Sequence, residues 1–188
     1  MVDNVNVNVT YPVRNADGVL QYYGLSEDMV DRGQYVNTLT GEGHLLEFNV
    51  GFADAALGTD ATHNFVLSYN AFIPKGAYVT RCEFETTVAW DSASSNVALN
   101  FGTIKQSDYA IVDADGLMDS IAKTVVDLAG NLVVTQAAGS YPDITTYAGA
   151  ILGVIRSQNE LVTCFWETNA PTAGAGILRV YYRHGLTV

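Results

Sequence analysis

The chain has 188 residues, 48% of them hydrophobic and only 15% charged, with nine basic side chains against twenty acidic ones for a net charge of −11. Its pI of about 4.4 repels phosphate backbones, and its Lys and Arg are scattered rather than gathered in a run, which argues against nucleic acid as a direct partner. The length suits one apolar core without staples, and no apolar stretch approaches the ~18 residues of a membrane-crossing helix.

The first forty residues differ from the rest. Asn4, Asn6 and Asn8 alternate with Val5, Val7 and Val9, and Pro12, Gly18, Gly24, Gly33 and Gly41 then break every periodic run. Residues 1–40 therefore read as an extended arm ahead of a domain over 41–188. A two-faced terminal strand has unpaired N–H and C=O groups, which it can satisfy by adding to a sheet edge in its own molecule or a neighbour's. Val5, Val7, Val9, Tyr11, Tyr22, Tyr23 and Tyr35 are its candidate contacts to a partner subunit, because valine faces and amphipathic tyrosines favour interfaces. A loose tail, or the first strand of the domain, is the alternative reading. Met1 to Thr10 has neither a basic n-region nor an apolar h-region, so the expectation is no secretory signal and a protein that stays in the cytoplasm where it is made.

From Leu45 onward, strand-like runs follow one another at short spacing. Leu46, Phe48 and Val50 share a face, and Asp54 to Thr62 reads as a loop. Phe65, Leu67, Tyr69, Ala71 and Ile73 share the next face, before Pro74-Lys75-Gly76 turns the chain. Between Arg81 and Trp90 the alternation sends Cys82, Phe84, Val88 and Trp90 one way and Arg81, Glu83 and Glu85 the other. Val97, Leu99 and Phe101 repeat the pattern. Asp115 to Ala122 spaces Leu117, Met118 and Ile121 as on a helix behind an Asp cap, so a short helix is predicted there. Strands follow over Val125–Val134, Tyr147–Ile155 and Leu161–Glu167. The last, Ile177–Arg183, puts Leu178, Val180 and Tyr182 opposite Arg179, Tyr181 and Arg183. The fold class is all-β: a jelly-roll-like two-sheet sandwich with a short connecting helix and an extended N-terminal arm.

No residue set carries a catalytic, cofactor or metal motif. Asp113, Asp115 and Asp119 resemble the opening of a calcium loop but lack the downstream bidentate Glu, so capping is the simpler account. Glu83 and Glu85 stand side by side on one strand rather than across a cleft, which suits a solubilising stripe or a subunit contact better than a glycosidase pair. His44, His63 and His184 are far apart and no serine sits in a nucleophile elbow. Cys82 and Cys164 lack metal or redox spacing; buried free thiols are the simpler reading, with a disulfide the alternative. Trp90 and Trp166 fall within the apolar alternation and read as core rather than as a sugar-stacking platform.

Three segments share the layout of one family: Phe72-Ile73-Pro74-Lys75-Gly76-Ala77-Tyr78-Val79-Thr80, Ala98-Leu99-Asn100-Phe101-Gly102-Thr103, and Thr172-Ala173-Gly174-Ala175-Gly176-Ile177-Leu178-Arg179-Val180-Tyr181-Tyr182. Their order over Leu45 to Arg183 resembles that of the jelly-roll head decoration, or cement, proteins of tailed bacteriophages. The resemblance implies a non-enzymatic structural protein of the virion: a homotrimer on the capsid exterior that binds the major capsid protein, with no cofactor, no membrane and no direct contact with nucleic acid. The arm over 1–40 departs from the family's compact pattern. The alternative is a phage tail, fibre or baseplate sandwich module that binds host-surface glycans, and it requires an exposed aromatic or acidic site.

Overall fold

The computed structural model describes residues 12–14, 20–22, 36–40, 43–58, 60, 62–93, 98–137, 146–167 and 170–184. Twelve strands occur among them. These are β1 (Pro12–Arg14), β2 (Leu20–Tyr22), β3 (Val36–Thr40), β4 (Gly43–Gly51), β5 (Phe65–Val66), β6 (Phe72–Ile73), β7 (Ala77–Ser92), β8 (Ala98–Lys105), β9 (Ile111–Ala122), β10 (Leu132–Gln136), β11 (Glu160–Trp166) and β12 (Pro171–His184). Two short helices, α1 (Phe52–Leu57) and α2 (Lys123–Val126), follow β4 and β9.

The strands form two antiparallel sheets, ordered β10-β7-β12-β4-β3 and β5-β11-β8-β9, with β6 also paired to β11. If β5 and β6 are taken as one interrupted strand, the eight strands from β4 onward pair first with last, second with seventh, third with sixth and fourth with fifth. That is a long hairpin rolled upon itself, the jelly-roll arrangement expected from the strand pattern. β3 extends one sheet by pairing with β4 from Val36↔Glu47 to Thr40↔Gly43, so the last five residues of the predicted arm are an edge strand of the domain. β1 and β2 form a separate hairpin.

The core lies between the sheets. Leu46, Phe48 and Val50 of β4, Cys82 and Phe84 of β7, and Leu178, Val180 and Tyr182 of β12 face Leu99 and Phe101 of β8 and Val162, Cys164 and Trp166 of β11, all buried. Trp90 and Trp166 stack across the layers with centroids 5.3 Å apart and planes 12° from parallel, and Phe84 meets Phe101 at 5.2 Å. Both indoles are core, as their positions in the alternation predict. Cys82 and Cys164 are buried free thiols, and burial pushes both well above the usual thiol range.

At several places the structure departs from the pattern expected of the sequence, each for an identifiable reason. The predicted helix over 115–122 is the last eight residues of β9. The pairs Leu99↔Ile121 and Phe101↔Met118 enclose one extra residue on β9, and Phe101↔Met118 and Thr103↔Asp113 enclose three more. These bulges turn a two-residue period into spacings of three and four, so Leu117, Met118 and Ile121 are all buried from a strand. Gly102 makes room for the larger bulge, since a Cβ there would lie 2.1 Å from the Ala114 carbonyl oxygen. The connecting helix is α2, directly after β9.

Val88, predicted to point inward, is 53% exposed. Register shifts on both sides of its pairing with Ala175 add residues to β7, which turn Val88 outward and return Trp90 to the core. Phe52–Leu57, read in part as loop, is α1, where Asp54 Oδ2 accepts the Gly51 N–H at 3.0 Å at the first turn. Tyr69, placed on a buried face, is exposed in the bend between β5 and β6. Residues 147–155 form turns rather than a strand, bridged to β9 at Met118↔Ala148 and hydrogen-bonded to it from Ile151 N to Gly116 O at 3.0 Å. The strand expected over 125–134 begins later, at Leu132, beyond α2 and a turn at Gly130.

Candidate interaction surfaces

The outer face of the β10-β7-β12-β4-β3 sheet is built from the odd positions of β12. Arg179 stands between two neighbouring strands: its Nε donates to Glu47 Oε2 on β4 and its Nη1 to Glu85 Oε2 on β7, both at 2.8 Å. One residue pair along, Arg81 is ion-paired with Glu83 and lies over the Tyr181 ring at 5.3 Å, while Tyr181 Oη donates to Glu83 Oε2 at 3.1 Å. Glu83 and Glu85 are thus separately neutralised by different guanidinium groups. Glu83, expected on a solvent face, is buried under Arg81 and Tyr181. This charged ladder knits three strands together and holds its carboxylates on an outer face rather than across a cleft.

The edge beside β7 carries exposed aliphatic side chains. The hydrogen bonds Gly130 N→Thr86 O (2.7 Å) and Thr86 N→Asn131 O (2.9 Å) hold the turn before β10 against the β7 bulge. Val88, Leu128 and Leu132 are there, each about half exposed or more. Toward the start of β7, Gly153 N→Val79 O (2.8 Å) and Arg156 N→Ala77 O (2.7 Å) continue the same edge, adding exposed Val154 and Ile155. The five exposed aliphatic side chains thus fall at two places along this edge, one near Thr86 and one near Val79. The sequence carried no sign of it, because Val88 depends on the bulge and Val154 and Ile155 on turns.

Of the candidate arm contacts, Val5, Val7, Val9, Tyr11, Tyr23 and Tyr35 lie outside the described residues. Tyr22 is described only by its backbone, which pairs with Pro12 in the β1–β2 hairpin.

Asp113, Asp115 and Asp119 lie on the bulged stretch of β9. Burial, followed by the hydrogen bond and charge of Asp115, raises the Asp113 carboxyl to about 6. Among the described residues no three His, Cys, Asp or Glu side chains are grouped to hold a metal ion. His63 shares a surface turn with Asp60 and Thr62, and His44 stacks on Tyr182 at 5.0 Å, so the two imidazoles serve separate places. Beneath the Pro74-Lys75-Gly76 turn lies a buried ion pair that periodicity could not reveal. Arg156 Nη1 is 3.5 Å from Glu160 Oε2, which also accepts from Thr103 Oγ1 at 2.9 Å.

At that end of the sandwich an open cleft of about 550 Å³ is lined by Lys75, Gln106, Ser107, Ser157, Gln158 and Asn159. No described helix is long and apolar enough to cross a membrane.

No protein-family model matches the chain, and no curated protein matches it in sequence. Among solved structures, a chain of the capsid of Ralstonia phage GP4 is similar at a TM-score of 0.46 and 16% identity, over 82% of this chain and 87% of that one.

Proposed function

We propose that this protein is a structural component of a phage virion that decorates the outside of the capsid as a homotrimer and clamps neighbouring major capsid subunits. The observation that carries this reading is where the resembling segments fall in the fold. Ile73-Pro74-Lys75-Gly76-Ala77 closes the turn into β7, Ala98–Thr103 is the first six residues of β8, and Thr172–Tyr182 lies within β12. β7 and β12 are the paired long strands at the middle of one sheet, and β8 lies at the middle of the other. The segments that resemble cement proteins are therefore the framework of the jelly roll, in the family's order.

The exposed aliphatic edge of Val88, Leu128, Leu132, Val154 and Ile155 supplies a contact surface, and the paired charges of the outer ladder keep the neighbouring face soluble. The arm reaches a capsid subunit or an adjacent trimer by strand addition, with Val5, Val7, Val9, Tyr11, Tyr22, Tyr23 and Tyr35 as its contacts. Many modest contacts repeated by symmetry stabilise a lattice through avidity.

Light scattering of the purified protein tests this. A mass three times the 20.2 kDa chain is expected, and Val88→Glu with Leu132→Glu should shift it toward the monomer. A wild-type monomer at all concentrations contradicts the homotrimer.

A further inference from the structure

The end of the sandwich that carries the open cleft also presents the conspicuous exposed aromatic pair of the described surface. Tyr69 and Tyr109 are 62% and 57% exposed, and their rings meet edge to face with centroids 5.9 Å apart. Tyr109 belongs to the β8–β9 turn, closed by Lys105 N→Ala110 O at 2.8 Å and Tyr109 N→Lys105 O at 3.1 Å. Its φ of +59° is a backbone state that a bulky residue rarely adopts. An aromatic kept exposed in a strained turn contributes nothing to the core, and such strain is found where a side chain is being presented.

The cleft, whose lining reaches Ser107 two residues before Tyr109, is held open by its own hydrogen bonds. Asn159 Oδ1 accepts the Lys75 N–H at 2.9 Å and Asn159 Nδ2 donates to Gln106 Oε1 at 3.1 Å, while Gln106 N donates to the Asn159 carbonyl at 3.0 Å. Three loops are thereby tied at one residue, so the lining is set before any ligand arrives. The volume of about 550 Å³ is within the range of small-ligand sites, about 300–1,000 Å³. The lining offers amides, serine hydroxyls and one lysine that makes no ion pair among the described residues.

We infer that this tip is a saccharide-binding site, with one ring of the edge-to-face Tyr69–Tyr109 pair receiving the C–H face of a sugar, the other flanking its edge, and Lys75, Ser107 and Gln158 pairing with its hydroxyls. The chemistry selects the class. Exposed aromatic faces next to neutral donors and acceptors complement a pyranose, which is apolar on its faces and polar at its rim. A polyanion is a poor match, because one ammonium on a chain of net charge −11 gives little attraction. Among the described residues the lining contains no carboxylate and no imidazole, and the arrangement suits binding. The inference does not depend on the capsid reading, and it gives the exposed end of the molecule a second role.

The test uses the full-length protein on a microarray of neutral and acidic oligosaccharides, followed by isothermal titration with the best binder. Binding to a defined glycan set is expected, weakened about tenfold by Tyr69→Ala and by Tyr109→Gly, a change that also relaxes the turn. Gln158→Ala, at a side chain that holds no hydrogen bond among the described residues, should weaken it as well, with the melting temperature unchanged. No binding by the wild type, or binding unaltered in all three variants, overturns the inference.

Discussion

Gly174 of β12 lies flat against the indole of Trp90 on β7: a Cβ on Gly174 would stand 2.4 Å from Trp90 Cδ2, and its φ of +135° is open to glycine alone. Two residues on, a Cβ on Gly176 would meet Phe84 Cζ at 2.3 Å. The small-residue hinge before the last strand is thus the imprint of two core rings, and β12 can approach β7 only because these positions are bare. Gly174→Ala should cost about 2–4 kcal/mol from combined overpacking and backbone strain. Urea unfolding followed by tryptophan fluorescence measures it. Gly76 has φ +83°, but a methyl added there would have nothing within 4 Å, so Gly76→Ala should cost only about 1 kcal/mol. Equal losses at the two sites would show that the ring contact is not the cause.

Phe84 touches both Trp90 and Phe101, and joins the two sheets through its ring. Phe84→Ala should lower stability by about 3–5 kcal/mol, read as a displaced urea midpoint with an unchanged slope. A loss below about 1 kcal/mol would place the ring outside the core.

Glu160 is buried between Arg156 and Thr103. Glu160→Gln leaves the guanidinium buried without its counter-charge, and the expected cost is about 3–5 kcal/mol. Replacing Arg156 and Glu160 together with Met and Leu should recover most of it. Failure of the double variant to recover would mean that the pair is not the source of the loss.

Asp113 has its folded-state pKa raised from 3.8 to about 6, by burial first and by Asp115 second. Between these values the folded chain holds a proton that the unfolded chain has released, so this group's effect on stability improves as pH falls from 7 through 6 toward 4. Asp113→Asn should raise the melting temperature at pH 7.5 and narrow the difference between pH 7.5 and pH 5. A variant with the wild-type pH profile would assign that dependence to another group.

Much of the architecture was legible because a sandwich strand leaves a strict period-2 trace. Leu46, Phe48 and Val50, or Leu178, Val180 and Tyr182, fall inward as the alternation predicts. The trace failed wherever an extra residue enters a ladder. The β9 bulges imitated helical spacing, and the β7 shifts turned out Val88, because period alone cannot distinguish a bulged strand from a turn of helix. The surfaces were less legible than the core. The ladder of Glu47, Arg179 and Glu85 comes from three strands far apart in sequence, and the Tyr69–Tyr109 pair from two loops; only the register brings them together.

The arm can be tested apart from the domain. Removing residues 1–35 spares β3, the edge strand paired to β4, so the truncated chain should melt close to the full-length protein while its affinity for capsid shells falls. Undiminished shell binding would make the arm dispensable.

Co-sedimentation of the purified protein with expanded shells, assembled from the major capsid protein of the same phage, addresses the central claim most directly. Saturable binding at a fixed ratio to capsid subunits, with the pelleted protein intact and on the shell exterior, is the predicted result. Protein that stays in the supernatant at every shell concentration would contradict it.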